Sequence, residues 1–302
     1  MAWRGLHLSR AARLNTSDGQ IVIAQDDGEV RLALEDVAYI ILDAPHATLT
    51  STLLSACMEH GVALIVTDAR HTPNGLLLPF HSHHRQAGVT AMQIALSEPL
   101  KKRCWQRIVI TKIHNQAAHL ESAGRDGAKV LRAMSELVGS GDADNVEARA
   151  AREYWGKLFN GFIRSDEKDL RNKLLNYGYA VVRAGVARAL VAFGCLPSLG
   201  LHHASITNAF NLADDIVEPF RPFVDALACE RALMREKSDD FTLDDRRAMA
   251  GVLMRNCCVC GEEVSLLVAT EKAAESLVQT MESGSAALLK LPDMLAAKVT
   301  PP

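Results

Sequence analysis

Gln20-Ile21-Val22-Ile23-Ala24 and Glu29-Val30-Arg31-Leu32-Ala33 flank Asp26-Asp27-Gly28 and read as two short strands joined by a tight turn. Asp-Gly between short apolar runs is a strong hairpin signal, because such a turn needs a left-handed backbone that glycine adopts without strain. The same reading extends outward. Val37 to Leu42 and Val62-Ala63-Leu64-Ile65-Val66 are further strand candidates. Between them, Leu49 to His60 places Leu49, Leu53, Ala56 and Cys57 on one face of a helix. Pro73-Asn74-Gly75 marks a turn before Leu76-Leu77-Leu78. Pro79-Phe80-His81-Ser82-His83-His84-Arg85 then reads as a linker. After it helical periodicity takes over and persists to about residue 290. It is broken near Gly139-Ser140-Gly141, at Pro197 and Gly200, and around Ser238 to Asp240.

The fold expected is therefore α+β. A small β-rich N-terminal domain over residues 1–84 precedes a larger all-α domain over 85–290, with 291–302 as a flexible tail. A chain of 302 residues suffices for two compact domains, and at 48% hydrophobic it can fill their cores. The start, MAWRGLHLSR, lacks the apolar core of a secretory signal, and no apolar run reaches the ~18 residues of a membrane span. Seven cysteines, odd in number and unevenly spread, do not look like a disulfide framework, so a reducing cytoplasm is the natural compartment.

The net charge of −3 hides local segregation. From Arg85 to Arg132 nine Lys/Arg face three acids, or +6; from Asp214 to Arg247 ten acids face six bases, or −4. Either these are two solvated faces, or the chain grips phosphates with one stretch and holds a cation with the other.

Three segments carry candidate chemistry. In Val146 to Trp155, Glu147 sits near the start of a helix for which Asp144 or Asn145 is the N-cap candidate; complementarity to the helix dipole would account for it without any chemistry. Gly200-Leu201-His202-His203 offers imidazoles, common ligands of transition metals but also ordinary loop residues. In Asn211 to Pro222, Asp215 and Glu218 stand at i,i+3 and share one helix face. Ile216, Val217 and Phe220 around them imply partial burial, and a partly buried acid needs a partner, of which a divalent cation is one. Such a Glu/His/Glu set suits Mg²⁺ or Mn²⁺. Cys257-Cys258-Val259-Cys260 has no second Cys/His pair at zinc-finger spacing and reads as helix packing, while His81-Ser82-His83-His84 reads as linker rather than ligand group.

Several motifs in order resemble one family. Ser97-Glu98-Pro99-Leu100-Lys101-Lys102-Arg103-Cys104-Trp105-Gln106 with Lys112-Ile113-His114-Asn115-Gln116, then Leu174-Leu175-Asn176-Tyr177-Gly178-Tyr179-Ala180-Val181, Gly200-Leu201-His202-His203, and Glu218-Pro219-Phe220-Arg221-Pro222, are similar to the CRISPR-associated integrases, the larger of the two adaptation Cas proteins, in their type II form. The resemblance spans nearly the whole chain. It implies a metal triad at Glu147, His203 and Glu218, with Asp215 as an auxiliary acid. Relatives often carry Gly where this chain has Ala148, and Asp at the position of Glu218. It further implies a homodimer, a complex with the small second adaptation Cas protein, and metal-dependent DNA cleavage and strand transfer using Mg²⁺ or Mn²⁺. DNA phosphates would be met by Lys101, Lys102, Arg103, Arg149, Arg152 and Arg221. Tyr154, Tyr177 and Tyr179 are expected in the core or behind the ligands rather than as base-stacking platforms. Two rivals share these residues: a stand-alone metallonuclease for repair or branched DNA, and a non-catalytic DNA-binding scaffold.

Overall fold

The computed structural model describes residues 2–80 and 83–295. The chain opens with β1 (Arg4–Leu8), β2 (Ala12–Ser17), β3 (Gln20–Gln25), β4 (Gly28–Ala33), β5 (Val37–Leu42) and β6 (Ala47–Leu49). Helix α1 (Ser51–Glu59) and strands β7 (Ala63–Thr67) and β8 (Pro73–Leu77) follow. They build two sheets, ordered β4-β3-β2-β6 and β1-β5-β7-β8. The hairpin read around Asp27-Gly28 is the antiparallel β3–β4 pair. Between the sheets lies one apolar core, with Leu14, Ile21, Val37, Ile40 and Leu64 joined by Leu53 and Cys57 of α1.

β5 is buried on both faces, so its sequence is a continuous apolar run rather than an alternation. Its Tyr39 and Ile41 belong to the second, larger core, which is shared with the helices. The Tyr39 hydroxyl donates to the Ala250 carbonyl at 2.7 Å and pins the sheet to the helical part.

One expected turn is displaced. Pro73-Asn74-Gly75 lies inside β8, and the reversal comes earlier, where the Asp68 carboxylate accepts the backbone N–H groups of Arg70 (2.8 Å) and Thr72 (2.9 Å). Proline is tolerated there because it starts an edge strand.

Helices follow: α2 (Gln86–Ile94), α3 (Glu98–Ser122), α4 (Ala128–Ser135), α5 (Val146–Leu158), α6 (Leu170–Ala192), α7 (Asn211–Val217), α8 (Arg221–Ala232) and α9 (Leu243–Ala250). No strand interrupts residues 150–230. α6 is the buried centre, and a side chain at Gly178 would strike Val224 and Met249 at 2.5 Å, so the Tyr177-Gly178-Tyr179 segment lets α8 and α9 close on α6.

Beyond α9 the helical pattern is interrupted by a hairpin of β9 (Asn256–Val259) and β10 (Glu262–Ser265), before α10 (Leu266–Ser283). Cys257 and Cys258 are therefore strand residues, and Cys260 with Gly261 forms the left-handed turn between the strands; the reading of this cluster as helix packing is corrected. A second correction concerns the tail. Leu291 is buried, Asp293 pairs its backbone with Cys258, and Met294 N–H donates to Asn115 Oδ1 at 2.9 Å. The rest of the expected tail, 296–302, lies outside the described residues, as do His81 and Ser82 of the linker; the rings of His83 and His84 meet at a tilt, 4.7 Å apart, just before α2.

Candidate active site

Glu147 enters on the first turn of α5. The helix starts where expected, with Asn145 at the N-cap position, but another residue supplies the capping group. Asn145 takes a left-handed backbone (φ 51°) and makes no side-chain cap, while the Asp142 carboxylate accepts the N–H groups of Val146 (2.9 Å) and Glu147 (3.0 Å). An acid satisfying orphan donors from outside the helix does the same electrostatic work as an N-cap.

Glu218 enters where α7 gives way to a 3₁₀ turn, Glu218–Phe220, before α8 begins. The two acids stand three residues apart at this junction but take different partners. Asp215 turns to the preceding loop and Glu218 to α3. Glu218 is buried, and its Oε2 accepts from Lys112 Nζ at 2.5 Å while Oε1 accepts from Arg221 Nε at 2.8 Å. Burial alone would raise its pKa; the ammonium and guanidinium override this and hold it at about 2.

Lys112 Nζ also donates to Glu147 Oε1, so the two glutamates converge on one ammonium. Burial works against the charge on Lys112, but Glu218 and Glu147 prevail and raise its pKa. Sequence reasoning missed this residue. Its signal was a lone lysine on the buried face of α3 among Ile108, Val109, Ile113 and Gln116, where a charge cannot stay without an acid partner.

His203 is brought in by a tight loop. Asp215, fully buried, accepts the N–H groups of Leu201 (2.6 Å), His202 (3.1 Å) and His203 (3.0 Å) and lies 2.7 Å from His203 Nδ1. Three successive N–H groups form a nest around one carboxylate. A side chain at Gly200 would lie 2.9 Å from Asp215 Oδ2 and 2.2 Å from the His203 carbonyl, so only glycine permits the loop to wrap this closely. Hydrogen bonding to Asp215 raises the His203 pKa against partial burial, and the charge of Glu218 adds to it. His202 plays another part: its ring stacks on Trp105 at 4.2 Å, interplanar 2°, while His203 meets the same indole edge-on at 5.7 Å. Trp105 is a second residue whose part in the site the sequence did not disclose.

Behind the site, Tyr154 and Tyr179 both donate to Asp225, the former at 3.0 Å, and His119 Nδ1 lies 2.6 Å from the Tyr154 hydroxyl. Burial lifts Asp225 to about 7 against these hydrogen bonds. Arg221 lies over the Tyr179 ring at 4.6 Å, so this network backs the guanidinium that touches Glu218. All three tyrosines, Tyr177 included, are buried.

In front, an open cleft of about 360 Å³ is lined by Asn176, Tyr179, Arg183, His203, Asp214 and Arg221. Arg183 is held by Asp214 at 2.7 Å. Two guanidiniums and an imidazole suit a phosphate. Of the other bases expected at DNA, Arg149 and Arg152 are exposed on α5. Lys101 is paired with Glu98 at 2.9 Å, while Lys102 and Arg103 are exposed at the start of α3, about 13 Å along the helix from Lys112.

The donors fit a hard divalent cation in chemistry: two carboxylates that already share one cation, and beside them an imidazole fixed by its own carboxylate. As the side chains stand, no three His, Cys, Asp or Glu among the described residues are placed to hold one ion; Lys112 lies between the two glutamates.

Comparison with known proteins agrees with the architecture. The family model "CRISPR associated protein Cas1" matches residues 6–256. The CRISPR-associated endonuclease Cas1 of Neisseria meningitidis serogroup C (strain 8013) is 38% identical over 299 residues, covering 99% of this chain and 98% of the relative. A casposase bound to integration product shares the fold at a TM-score of 0.76 and 18% identity, covering 93% of this chain and 91% of that one. A chain of a Cas6-RT-Cas1–Cas2 complex does so at 0.72 and 19% identity, covering 97% of this chain and 36% of the longer one. The chain belongs to the Cas1 family of CRISPR-associated proteins.

Proposed function

We propose that this chain is a divalent-metal-dependent DNA endonuclease and integrase that inserts short foreign DNA into a CRISPR array. The observation that carries the reading is the convergence of Glu147, from α5, and Glu218, from the α7–α8 junction, on one cationic point beside His203. The Neisseria relative is named an endonuclease, and the casposase that shares the fold is bound to an integration product.

Glu147 and Glu218 would hold Mg²⁺ or Mn²⁺ with the ring nitrogen that His203 leaves free of Asp215. A cation held there lowers the pKa of an attacking hydroxyl and neutralises charge on the phosphate and the leaving oxygen. Asp215 fixes the His203 ring, and Arg183 and Arg221 take non-bridging phosphate oxygens at the cleft. In strand transfer, the 3′-hydroxyl oxygen of the incoming DNA bonds to phosphorus as the bond to the repeat strand's 3′ oxygen breaks. The attacking hydroxyl loses its proton and the leaving oxygen gains one. With water as nucleophile the same geometry cleaves DNA.

The partners proposed are DNA, the small second adaptation Cas protein, and a second copy of this chain; the complex with Cas2 in which a fold relative is found supports the second. β4, an edge strand with most of its residues exposed, offers the N-terminal domain a surface for self-association. Seven unpaired cysteines fit a cytoplasmic setting, and among the described residues no helix is long and apolar enough to cross a membrane.

The test is cleavage and half-site integration with a CRISPR-repeat duplex in Mn²⁺. Glu147→Ala, His203→Ala and Glu218→Ala should each abolish both activities while DNA binding persists; His202→Ala should be milder. Parental joining by the two glutamate variants would refute the reading. Cleavage without joining would favour a stand-alone nuclease, and DNA affinity with no activity in any metal a scaffold.

A further inference from the structure

We infer that Lys112 is the resident cation of the metal-free site: its ammonium holds Glu147 and Glu218 together and competes with a divalent cation for the same position, so that loading the site requires Lys112 to withdraw. This rests on the metal-dependent reading proposed for the site.

The geometry separates Lys112 from an ordinary buried ion pair. One acid would suffice to neutralise one lysine. Lys112 instead serves two, and these come from elements that meet only through folding. Glu218 already has a cation of its own, since Arg221 occupies Oε1. Its second oxygen, Oε2, is thereby left for the position it shares with Glu147. Two oxygens within hydrogen-bond reach of one nitrogen lie at most about 6 Å apart. Ligands of a small hard cation stand at about 2.0–2.2 Å from it, so the same two oxygens need to contract only modestly to hold Mg²⁺ or Mn²⁺.

Charge makes the two cations exclusive. Glu147, Glu218, Lys112 and Arg221 sum to zero. Adding a dication with Lys112 in place would leave the cluster at +2, with an ammonium and a metal ion competing for the same oxygens. Their repulsion at such a distance exceeds the worth of the lysine's hydrogen bonds. Without either cation, the buried Glu218 and part-buried Glu147 carboxylates would face each other with little screening, so the lysine also keeps the ligands assembled while no metal is present. His203 is spared this competition, because its partner is Asp215. Lys112 is thus a positioning residue, distinct from the groups that would meet the reacting phosphate.

The experiment measures Mn²⁺ binding to the full-length chain by electron paramagnetic resonance and calorimetry, at one pH and without DNA. Glu147→Gln should remove the Mn²⁺ site from the parental protein. Lys112→Met and Lys112→Gln should tighten Mn²⁺ by on the order of tenfold or more, and Mn²⁺ should raise their melting temperature more than it raises the parent's. Lys112→Arg should bind as weakly as the parent. Arg183→Gln, which removes a cation from the cleft rim rather than from between the acids, should shift affinity far less. In the unmodified chain, Mn²⁺ should also increase acetylation of Lys112 by acetic anhydride, read by mass spectrometry; this arm needs no variant to fold. Absence of Glu147-dependent Mn²⁺ binding in the parent would overturn the metal reading itself. Parental binding with unchanged or weaker affinity in both Lys112 variants, an equal shift in Arg183→Gln, or Lys112 labelling indifferent to Mn²⁺ would overturn the competition alone.

Discussion

Replacing Asp215 by asparagine keeps shape and removes charge, and the cost can be worked from the contacts of each oxygen. Oδ2 takes the N–H groups of Leu201 and His202, and Oδ1 takes the N–H and faces Nδ1 of His203. An asparagine offers one acceptor. Whichever way its amide lies, its NH₂ points at two donors. Two charge-assisted hydrogen bonds are lost, at about 1.5–3 kcal/mol each, so the loss could reach about 6 kcal/mol. His202 is exposed and His203 half-exposed, so water can rescue part of the loop, and we expect about 3 kcal/mol. Urea unfolding should show a lower midpoint at unchanged slope. Because hydrogen bonding to Asp215 is the largest cause of the raised His203 pKa, its titration midpoint, read by NMR, should fall toward the ordinary imidazole range. Metal-dependent cleavage should fall about 10–100-fold, the usual cost of losing a ligand's orienting partner. A variant that unfolds at the parental urea concentration and titrates His203 at the parental pH would refute the nest as the device that presents this histidine.

Tyr39→Phe removes the hydroxyl that meets the Ala250 carbonyl and should cost about 1–2 kcal/mol, with hydrogen exchange accelerating in α9. Asp225, fully buried and lifted to about 7, should make stability fall with rising pH. Its contribution is fully present below the unfolded value of 3.8 and is lost as pH climbs through about 7, by up to roughly 4 kcal/mol, so Asp225→Asn should flatten urea midpoints measured between pH 5 and 8. Neutralising Lys101, Lys102 and Arg103 together should weaken DNA binding. Since Lys101 is already engaged by Glu98, the slope of log affinity against log salt should shrink by about 2 rather than 3, as filter-binding at several salt concentrations would show.

The β3–β4 hairpin, the helix α1 and the buried run of β5 were legible because each is set by local pattern: a turn dipeptide, a helical period, an unbroken apolar stretch. The β9–β10 hairpin was not. Cys257-Cys258-Val259 is apolar without alternation, and its turn uses Cys260 in a left-handed backbone where the expected signal is Asn or Asp. Pro73 misled for the opposite reason, a strong turn signal overruled by an edge strand that needs no N–H there. At the site, the family resemblance pointed to Glu147, His203 and Glu218, and helical spacing put Asp215 near Glu218, but neither disclosed that the two acids take different partners. Those partners, the Leu201–His203 loop for Asp215 and Lys112 for Glu218, come from other segments of the chain and leave no local mark.

What no local rule could supply is the role of α3. Trp105 and Lys112 are seven residues apart, two helical turns, and so share one face about 10 Å apart. The first carries the histidine loop by stacking on His202; the second carries both glutamates. One turn further, Asn115 donates to the Pro219 carbonyl at 2.8 Å and so fixes the 3₁₀ turn that aims Glu218. The same amide donates to the Pro292 carbonyl, drawing in the segment after α10. Three side chains on one helix thus set the positions of segments that are distant in sequence, and the rigid helix sets the spacing between them. A helix in this role cannot be strongly amphipathic in composition, because its buried face must carry the very polar groups that do the positioning. That is why α3 read in the sequence as an ordinary basic helix, and why its lysine and tryptophan acquire meaning only when the loop, the 3₁₀ turn and the start of α5 are folded against it.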